Sequence, residues 1–341
     1  MALLEDSLWL PVGAVADLPP GQVLPVRMLG LDRVVWRAAD GRLAAAPDRC
    51  PHRGTPLSMG QVRGAHIVCA YHGWAFDADG RCRHIPAQPQ VTPGAAQGLG
   101  SCAVRERHGL IWVRTGAPHD APLLAEPPPF EGPEGPGIRR VLCGPYDVAA
   151  SAARVLENFL DLAHFAFVHA GSLGDPAHAQ VTDYRVEAGG AHGGLQATGC
   201  RVWQPRSNLL AQDGEWVDYR YDVLSPYSAV LTKCPETWQG YEESIALFAL
   251  PQEPDRTRAW FLIAMSAGDR SDAQIRDFQQ ALFEQDRRIL EAQRPALLPL
   301  DFRAEASCAI DRLSLAYRGY LRELGVRFGV LPAGASVSSD A

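Results

Sequence analysis

Two short runs, each with one cysteine and one histidine, constrain the fold of this chain more than any other feature. The first is CPHRG at 50–54 and the second is CAYHGW at 69–74. A structural zinc finger usually presents its cysteines as one pair and its histidines as another. Here each run supplies one thiol and one imidazole, so the fold must bring two mixed loops together around one metal centre.

Mixed pairs suit a cluster of two irons in which one iron binds two thiolates and the other binds two imidazoles, the Rieske type. Cys50, His52, Cys69 and His72 are therefore the predicted ligands of a [2Fe-2S] cluster. Zinc binding and chance spacing are the alternatives. The neutral imidazoles predict a higher reduction potential than that of an all-thiolate cluster.

The surrounding segment is predicted to be all-β. From Gln22 to Arg114 the sequence contains short β-rich runs interrupted by Asp40-Gly41 and Asp79-Gly80, which are strong hairpin signals. Residues 117–137 are rich in proline and glycine, as in a linker. We therefore place a domain boundary near residue 118, with a first domain at 1–118 and a second at 119–341.

Composition limits the classes of partner. With 341 residues, of which 47% are hydrophobic, the chain is long enough for two cores. The net charge of −7 gives no reason to expect nucleic acid, but residues 33–114 hold eleven arginines against five acidic residues. This basic segment is either an ordinary solvated surface or a docking surface for an acidic protein.

The sequence contains no signal for export or membrane insertion. Its first thirty residues lack a basic start followed by an apolar run, and no segment approaches the roughly 18 apolar residues of a membrane span. The eight cysteines have no disulfide-framework spacing. We therefore expect a cytoplasmic protein with reduced thiols.

The second domain is predicted to be α+β with an antiparallel sheet. Helical patterns cover roughly 150–164, 272–293 and 303–326, and a long β-patterned region reaches about 265. In the first helix one polar stripe comprises Arg154, Glu157, Asn158, Asp161 and His164. Asp161 and His164 lie three residues apart and can meet. A solvated polar face is the alternative explanation of this stripe.

His164 and His169 are candidate ligands of a second metal. They lie about 140° apart on an ideal helix, so both bind one ion only if the helix unwinds or bulges between them. Two histidines and one carboxylate form the facial triad of ferrous oxygenases, which leaves positions open for dioxygen.

Asp286 is the candidate carboxylate. In the helix at 272–293, Ser271 and Gln274 form a plausible capping box, and Asp286 falls within the stripe of inward apolar residues. That stripe comprises Ile275, Phe278, Leu282, Phe283, Ile289 and Leu290. A buried carboxylate needs a metal or a partner, so a salt bridge to an arginine is the alternative. Asp301 and Asp311 are weaker candidates for the third ligand.

These residues together resemble the Rieske non-haem iron oxygenase family, the ring-hydroxylating oxygenase alpha subunits. The resemblance is carried by the two Cys/His pairs, the run ENFLDLAHFAFVH at 157–169 with Asp175-Pro176 after it, Asp286, and the tail at 311–324. Within the family, the chain is most similar to short members that act as N- or O-demethylases, such as the methylxanthine N-demethylases and, more loosely, the vanillate and dicamba O-demethylases.

The resemblance implies a helix-grip catalytic domain, a head-to-tail homotrimer and catalytic roles for Asp161 and Asn158. In relatives, the aspartate matching Asp161 links the cluster histidine matching His72 in one subunit to the iron ligand matching His164 in the next. The expected function is that of a terminal oxygenase that uses O2 to hydroxylate or demethylate a small, aromatic or heterocyclic molecule.

No dinucleotide-binding glycine motif and no plant-type ferredoxin cysteine pattern occur in the sequence, so electrons must come from a separate NAD(P)H-dependent reductase, a ferredoxin or both. Three other functions stay open at this point. They are a cis-dihydroxylating ring dioxygenase, a Rieske electron-transfer or redox-sensing protein, and a zinc-stabilised binding module.

Overall fold

The computed structural model describes residues 3–116, 124–189, 193–207, 211, 213–236, 241 and 243–334. They form two compact units. The first comprises the described residues up to Gly116 with Ala125–Pro127, and the second comprises Leu124 and the residues from Pro128 onward. The predicted boundary near residue 118 lies in 117–123, outside the described residues, so the limits 1–118 and 119–341 stay predictions.

The first unit is built from small antiparallel sheets, as the sequence predicts. Their strand orders are β2-β3-β4, β1-β10-β9 and β5-β6-β7-β8. The strands are β1 (Leu10–Ala14), β2 (Val23–Met28), β3 (Leu31–Arg37), β4 (Leu43–Pro47), β5 (Gln61–Arg63), β6 (His66–Val68), β7 (Ala75–Phe76), β8 (Cys82–His84), β9 (Ala103–Arg107) and β10 (Leu110–Arg114).

Both predicted hairpin turns are confirmed. Gly41 lies between β3 and β4 with a φ of +89°, and Gly80 lies between β7 and β8 with a φ of +78°. These positive φ values favour glycine, which has no Cβ to clash with its own backbone. At Gly80 a Cβ would also meet the Leu99 carbonyl oxygen at 2.7 Å. The turns therefore fix the register of the strands that hold the Cys/His loops.

The second unit is a seven-stranded antiparallel sheet with helices. The sheet order is β11-β17-β16-β15-β14-β13-β12, and β18 pairs with β19 separately. The elements are β11 (Ile138–Val148), α1 (Ala152–Leu160), α2 (Phe165–Val168), β12 (Arg185–Ala188), β13 (Leu195–Gln204), β14 (Glu215–Ser225), β15 (Ser228–Pro235), β16 (Glu243–Glu253), β17 (Arg256–Ser266), α3 (Asp272–Ala292), β18 (Leu298–Pro299), α4 (Arg312–Leu324) and β19 (Val330–Leu331). The predicted α+β class with a helix-grip catalytic domain is confirmed.

Cross-strand register aligns side chains into rows on the sheet face that meets α1 and α3. One row runs Tyr219, Lys233, Glu243 and Met265 across β14, β15, β16 and β17. Because side chains on one face recur every second residue, the next row is apolar and includes Leu231. This face therefore carries one charged row among hydrophobic ones.

The structure corrects two helix limits. The helix predicted over 150–164 ends at Leu160, because the Asp161 carboxylate accepts hydrogen bonds from the backbone N–H groups of Ala163 (3.1 Å) and His164 (3.2 Å). Such a side-chain acceptor replaces the helical carbonyls and starts a new turn. The helix predicted over 303–326 begins only at Arg312, as α4.

The prediction for α3 is confirmed in its limits and in its capping box, where Ser271 and Gln274 bond reciprocally. It was wrong for Ile289, which is 45% exposed. Helical periodicity sets the direction of a side chain, whereas burial also requires a neighbouring element to cover it. No helix among the described residues is long and apolar enough to cross a membrane.

Candidate metal centres

The Cys/His pairs lie on two loops of similar geometry, between β4 and β5 and between β6 and β7. In the first loop the Gly54 N–H donates to the Cys50 carbonyl oxygen at 2.9 Å, and in the second the Gly73 N–H donates to that of Cys69 at 3.0 Å. Both glycines have a positive φ, of +76° and +71°. Each cysteine is thus followed four residues later by a glycine that closes the same kind of turn.

The four predicted cluster ligands come together in the first unit. Cys50 and Cys69 are buried in its hydrophobic core, and the rings of His52 and His72 lie 4.4 Å apart between centroids. The Trp74 ring stacks on that of His52 at 4.6 Å and 6°. The structure therefore brings two thiols and two imidazoles to one place and covers one imidazole with an aromatic ring.

The chemistry of this donor set fits a metal cluster. Burial, with a smaller contribution from the neighbouring Cys69, raises the pKa of the Cys50 thiol to about 11, although backbone hydrogen bonds from His52 and Arg53 oppose the rise. Two buried thiolates are therefore costly without a cation to neutralise them. The buried Nδ1 of His52 also has no hydrogen-bond partner within the described residues, as expected of an atom that has a metal as its partner.

The second set of predicted ligands comes together in the second unit. The Nε2 atoms of His164 and His169 lie 3.3 Å apart, and Asp286 Oδ1 lies 3.5 Å from the first and 3.2 Å from the second. His164 and His169 flank the single turn of α2, and Asp286 projects from α3. The prediction that the helix unwinds or bulges between the two histidines was wrong: α1 ends before His164, and the Val168 and His169 N–H groups donate to the carbonyl oxygens of His164 and Phe165, so the turn between the histidines is intact.

Hydrogen bonds at the Nδ1 atoms of His164 and His169 indicate why these two rings, together with Asp286, can hold a cation. His169 Nδ1 lies 2.7 Å from Gln285 Oε1, and His164 Nδ1 lies 3.2 Å from Asp161 Oδ2. Each oxygen accepts from an Nδ1–H, so each neutral ring directs the lone pair of Nε2 toward the other ring. Two lone pairs and a carboxylate oxygen that converge without a shared proton repel each other unless a cation lies between them.

Asp161 and Asn158 occupy different positions beside this set. Burial alone would raise the pKa of Asp161, but the hydrogen bonds from the His164 ring and from the backbone N–H groups of Ala163 and His164 outweigh burial, and the pKa is lowered. About a third of the Asp161 side chain is exposed, at 32%. Asn158 lines the cavity next to the triad.

The alternatives for the third ligand have other local roles. Asp301 accepts a hydrogen bond from the Arg303 backbone, and Asp311 accepts one from the Cys308 backbone at the start of a helical turn. Among the described residues, the one group of histidine, cysteine and acidic side chains whose ligand atoms all lie within 4.8 Å of one another, as around a single ion, consists of His164, His169 and Asp286. The ion pairs of Asp286 in this part of the chain are with the two histidines rather than with an arginine.

The triad opens on a cavity between the sheet and the helices α1 and α3. The lining is mostly apolar and includes Phe159, Ile245, Ile263 and Leu282, but Lys233 and Glu243 also face it. The sequence analysis missed Gln285, Lys233 and Glu243. For Lys233 a signal existed, because it is the only lysine in the chain.

The polar stripe of α1 is not a solvated face. Arg154 and Glu157 are 3% and 8% exposed and join Arg318 and Glu305 in a buried ion-pair network. Arg318 binds Glu157 through two hydrogen bonds, of 2.6 and 3.0 Å. The network joins α1, which precedes the triad, to α4.

Family models match both parts of the chain. Residues 8–96 match the Rieske [2Fe-2S] domain, and residues 148–327 match the vanillate O-demethylase oxygenase C-terminal domain. The chain is a member of the Rieske non-haem iron oxygenase family. This Rieske oxygenase therefore has a [2Fe-2S] cluster and a non-haem iron as its cofactors.

Two similar proteins span nearly the whole length of this Rieske oxygenase. Methylxanthine N1-demethylase NdmA of Pseudomonas putida is 31% identical over 325 residues, which cover 93% of this chain and 88% of that protein. The structure of Pseudomonas putida NdmA with caffeine superposes with a TM-score of 0.80 at 29% identity and covers 94% of this chain and 91% of that one.

A third likeness covers less of the chain. The oxidoreductase NdmD of Pseudomonas putida is 36% identical over 124 residues, which make up 36% of this Rieske oxygenase and 21% of NdmD.

Proposed function

We propose that this Rieske oxygenase removes a methyl group from a nitrogen or oxygen atom of a small aromatic or heterocyclic molecule. We assign His164, His169 and Asp286 as ligands of the mononuclear iron, and Cys50, His52, Cys69 and His72 as ligands of the cluster. The observation that carries the proposal is the convergence of two imidazole lone pairs and a carboxylate at the wall of an apolar cavity. A methyl-bearing ring can fill such a cavity without desolvating a charge of its own.

The iron, when bound, supplies the O2-dependent oxidation, and the cluster supplies an electron. The protein positions the reactants. The apolar lining excludes water and presents a methyl group to the open side of the triad, while Gln285 and Asp161 hold the rings of His169 and His164 in place. A methyl group oxidised to hydroxymethyl on nitrogen or oxygen leaves as formaldehyde, whereas oxidation of a ring or alkyl carbon leaves a stable alcohol.

We further propose that a separate NAD(P)H-dependent reductase, with or without a ferredoxin, delivers the electrons. The likeness of 124 residues to part of the oxidoreductase NdmD supports a dedicated electron-transfer partner. The absence of a dinucleotide-binding motif from the sequence agrees with this. The arginine-rich segment 33–114 is the surface we expect an acidic partner to use.

A homotrimer is proposed because of Asp161. Its carboxylate binds His164 yet stays about a third exposed. That exposure leaves oxygen lone pairs for a histidine of a neighbouring subunit, where the family resemblance places the cluster. A measured mass three times that of the 37.0 kDa chain would support the assembly.

A single turnover tests the function. Iron-loaded protein is chemically reduced, exposed to labelled O2 with N-methyl, O-methyl and unmethylated aromatic compounds, and analysed for products by mass spectrometry and for formaldehyde. We expect formaldehyde with a demethylated product. A labelled hydroxyl group on carbon without formaldehyde would refute demethylation and identify a hydroxylase.

Metal content tests the ligands independently of turnover. Wild-type protein should contain three irons and two acid-labile sulfides per chain. His164→Ala should lose the mononuclear iron and keep the absorption of the cluster, and Cys69→Ser should lose the cluster. The control is His178→Ala, which changes a half-exposed histidine outside both sets. Retention of the third iron in His164→Ala would remove that residue from the ligand set.

A further inference from the structure

The only lysine of the chain lies inside the substrate cavity. Lys233 is 4% exposed and lines the same cavity as His164, His169 and Asp286. Lysine is rarely buried to this extent without a partner, because an ammonium group loses its hydration. Its place in a mostly apolar wall therefore needs a physical reason.

The sheet register explains where this lysine points. Lys233 of β15 lies directly opposite Tyr219 of β14 and Glu243 of β16, so the three side chains share the face toward the helices. Lys233 Nζ lies 5.9 Å from the centroid of the Tyr219 ring. The ammonium is thus held at the cavity wall by its two neighbouring strands.

The carboxylate of Glu243 compensates the charge of Lys233 but does not accept a hydrogen bond from its ammonium group. Lys233 Nζ lies 3.7 Å from Glu243 Oε2, which is beyond hydrogen-bonding distance, and that oxygen already accepts a hydrogen bond from the Tyr241 hydroxyl at 2.9 Å. An ammonium has three N–H donors. Within the described residues, Lys233 thus has a compensating charge and retains donors for a molecule in the cavity.

The charges beside Lys233 do not favour the binding of a substrate that carries a carboxylate. Burial lowers the pKa of Lys233, and the nearby carboxylates of Glu243 and Glu215 raise it only in part. Glu243 is 7% exposed and Glu215 is 6% exposed. One ammonium beside two buried carboxylates makes this wall neutral or negative, so an entering carboxylate would be desolvated without net attraction. An uncharged oxygen can accept from the ammonium without adding charge.

We propose that Lys233 is a specificity-determining residue that donates a hydrogen bond to an uncharged acceptor oxygen, such as a carbonyl, on the substrate. Glu243 neutralises Lys233 and thereby disfavours substrates that carry a carboxylate at this position. The inference rests on the proposed function in one respect, namely that the cavity beside the triad is the substrate site.

Equilibrium binding to the iron-loaded protein, without O2 or reductant, tests the role of Lys233. Three probes share a methoxybenzene ring: 4-methoxybenzamide offers an uncharged carbonyl, 4-methoxybenzoate offers an anion, and 4-methylanisole offers neither. Dissociation constants are measured by calorimetry for the wild type, Glu243→Gln and the double variant Lys233→Met/Glu243→Gln. The double variant leaves no unpaired charge from this pair, so it avoids the folding defect expected of Lys233→Met alone. The control is Cys234→Ser, on the exposed face of β15.

We expect the wild type and Cys234→Ser to bind the benzamide about tenfold or more tightly than 4-methylanisole, the size of effect typical of a hydrogen bond to a charged group. The double variant should reduce this preference to less than about threefold. Glu243→Gln removes one of the two carboxylates beside the lysine. It should therefore shift the preference between 4-methoxybenzoate and 4-methoxybenzamide toward the benzoate by about tenfold or more.

A wild type that binds the benzamide no more tightly than 4-methylanisole would overturn the inference, as would a double variant that keeps the wild-type preference. If Lys233 and Glu243 only stabilised the contact between β15 and β16, the variants would differ from the wild type in stability. The ratio of the affinities for 4-methoxybenzamide and 4-methylanisole would then stay unchanged. The proposed function fails separately: it is refuted if turnover of bound probes yields no formaldehyde, whatever their order of affinity.

Discussion

Gln285 tests whether a hydrogen bond orients one ligand of the proposed iron site. Its Oε1 lies 2.7 Å from His169 Nδ1, and His169 is 3% exposed. Gln285→Leu keeps the approximate size of the side chain and removes the acceptor. The Nδ1–H of His169 then has no partner in a buried position, and the ring is free to move its proton to Nε2, where it cannot bind a metal.

Two independent considerations set the size of this effect. A buried donor left without an acceptor costs about 1–3 kcal/mol, which corresponds to roughly 5- to 150-fold in an equilibrium constant. Residues that orient metal ligands typically change metal affinity by about 10- to 100-fold. We therefore expect Gln285→Leu to bind Fe(II) about 10- to 100-fold more weakly, with the cluster unaffected.

The assay is anaerobic competition for Fe(II) between the protein and a chromophoric chelator. Gln285→Glu keeps an acceptor and adds a negative charge, so its iron affinity should equal or exceed that of the wild type. Gln280→Leu is the matched control, because Gln280 lies on the exposed side of α3. Iron affinity within threefold of wild type in a folded Gln285→Leu protein would refute the role of this hydrogen bond.

Four further changes have defined outcomes. Asp161→Asn should keep both metal centres yet lose steady-state turnover with the reductase, measured as product per minute. Arg318→Met removes donors from the buried carboxylate of Glu157 and the half-buried carboxylate of Glu305, and it should lower the free energy of unfolding by about 3–5 kcal/mol in urea titration. Glu305→Gln tests pH dependence: burial raises the pKa of Glu305, but hydrogen bonds from its arginine partners outweigh burial and hold it below the ordinary 4.5. Its stabilisation is therefore complete above pH 4.5 and lost as the pH falls through the lower folded pKa, and Glu305→Gln should flatten that loss. Gly174→Ala should impair iron binding, because a Cβ there would lie 2.0 Å from the Phe165 carbonyl oxygen.

Each of these predictions has a result that would contradict it. Wild-type steady-state turnover in Asp161→Asn would remove Asp161 from the electron path. A loss below 1 kcal/mol in Arg318→Met, compared with Arg322→Met on the exposed side of α4, would show that the buried network contributes little. An unchanged acid midpoint in Glu305→Gln, or full iron content in Gly174→Ala, would refute the respective argument.

Short sequence patterns were sufficient to predict the cluster ligands, the two hairpin turns and the inward-facing position of Asp286. The four proposed cluster ligands could be selected from sequence because thiolates and imidazoles have few alternative partners at this spacing. The hairpins at Gly41 and Gly80 followed from residues that tolerate a positive φ. Asp286 stood out because α3 begins at a recognisable capping box and its apolar stripe has helical periodicity.

Competition between local interactions limited the sequence analysis around the triad. Periodicity predicted one helix through His164, whereas the Asp161 carboxylate takes the backbone N–H groups of Ala163 and His164 and ends the helix at Leu160. A hydrophobic pattern cannot show whether those N–H groups donate to helical carbonyl oxygens or to a side-chain carboxylate. The same pattern also allowed Arg154 and Glu157 to be exposed to solvent. Their partners, Glu305 and Arg318, are distant in sequence, so the pattern could not show that they are buried in ion pairs.

The sequence by itself determined which chemistry this protein can perform, because ligand types and local turn geometry depend on residues close together in the chain. Only the tertiary structure decided which distant groups meet. The pairing of Lys233 with Glu243 depends on the register of β15 against β16, and the contact of His169 with Gln285 joins residues more than a hundred positions apart. Such contacts are set by the packing of the whole sheet against its helices, which no local window of sequence contains.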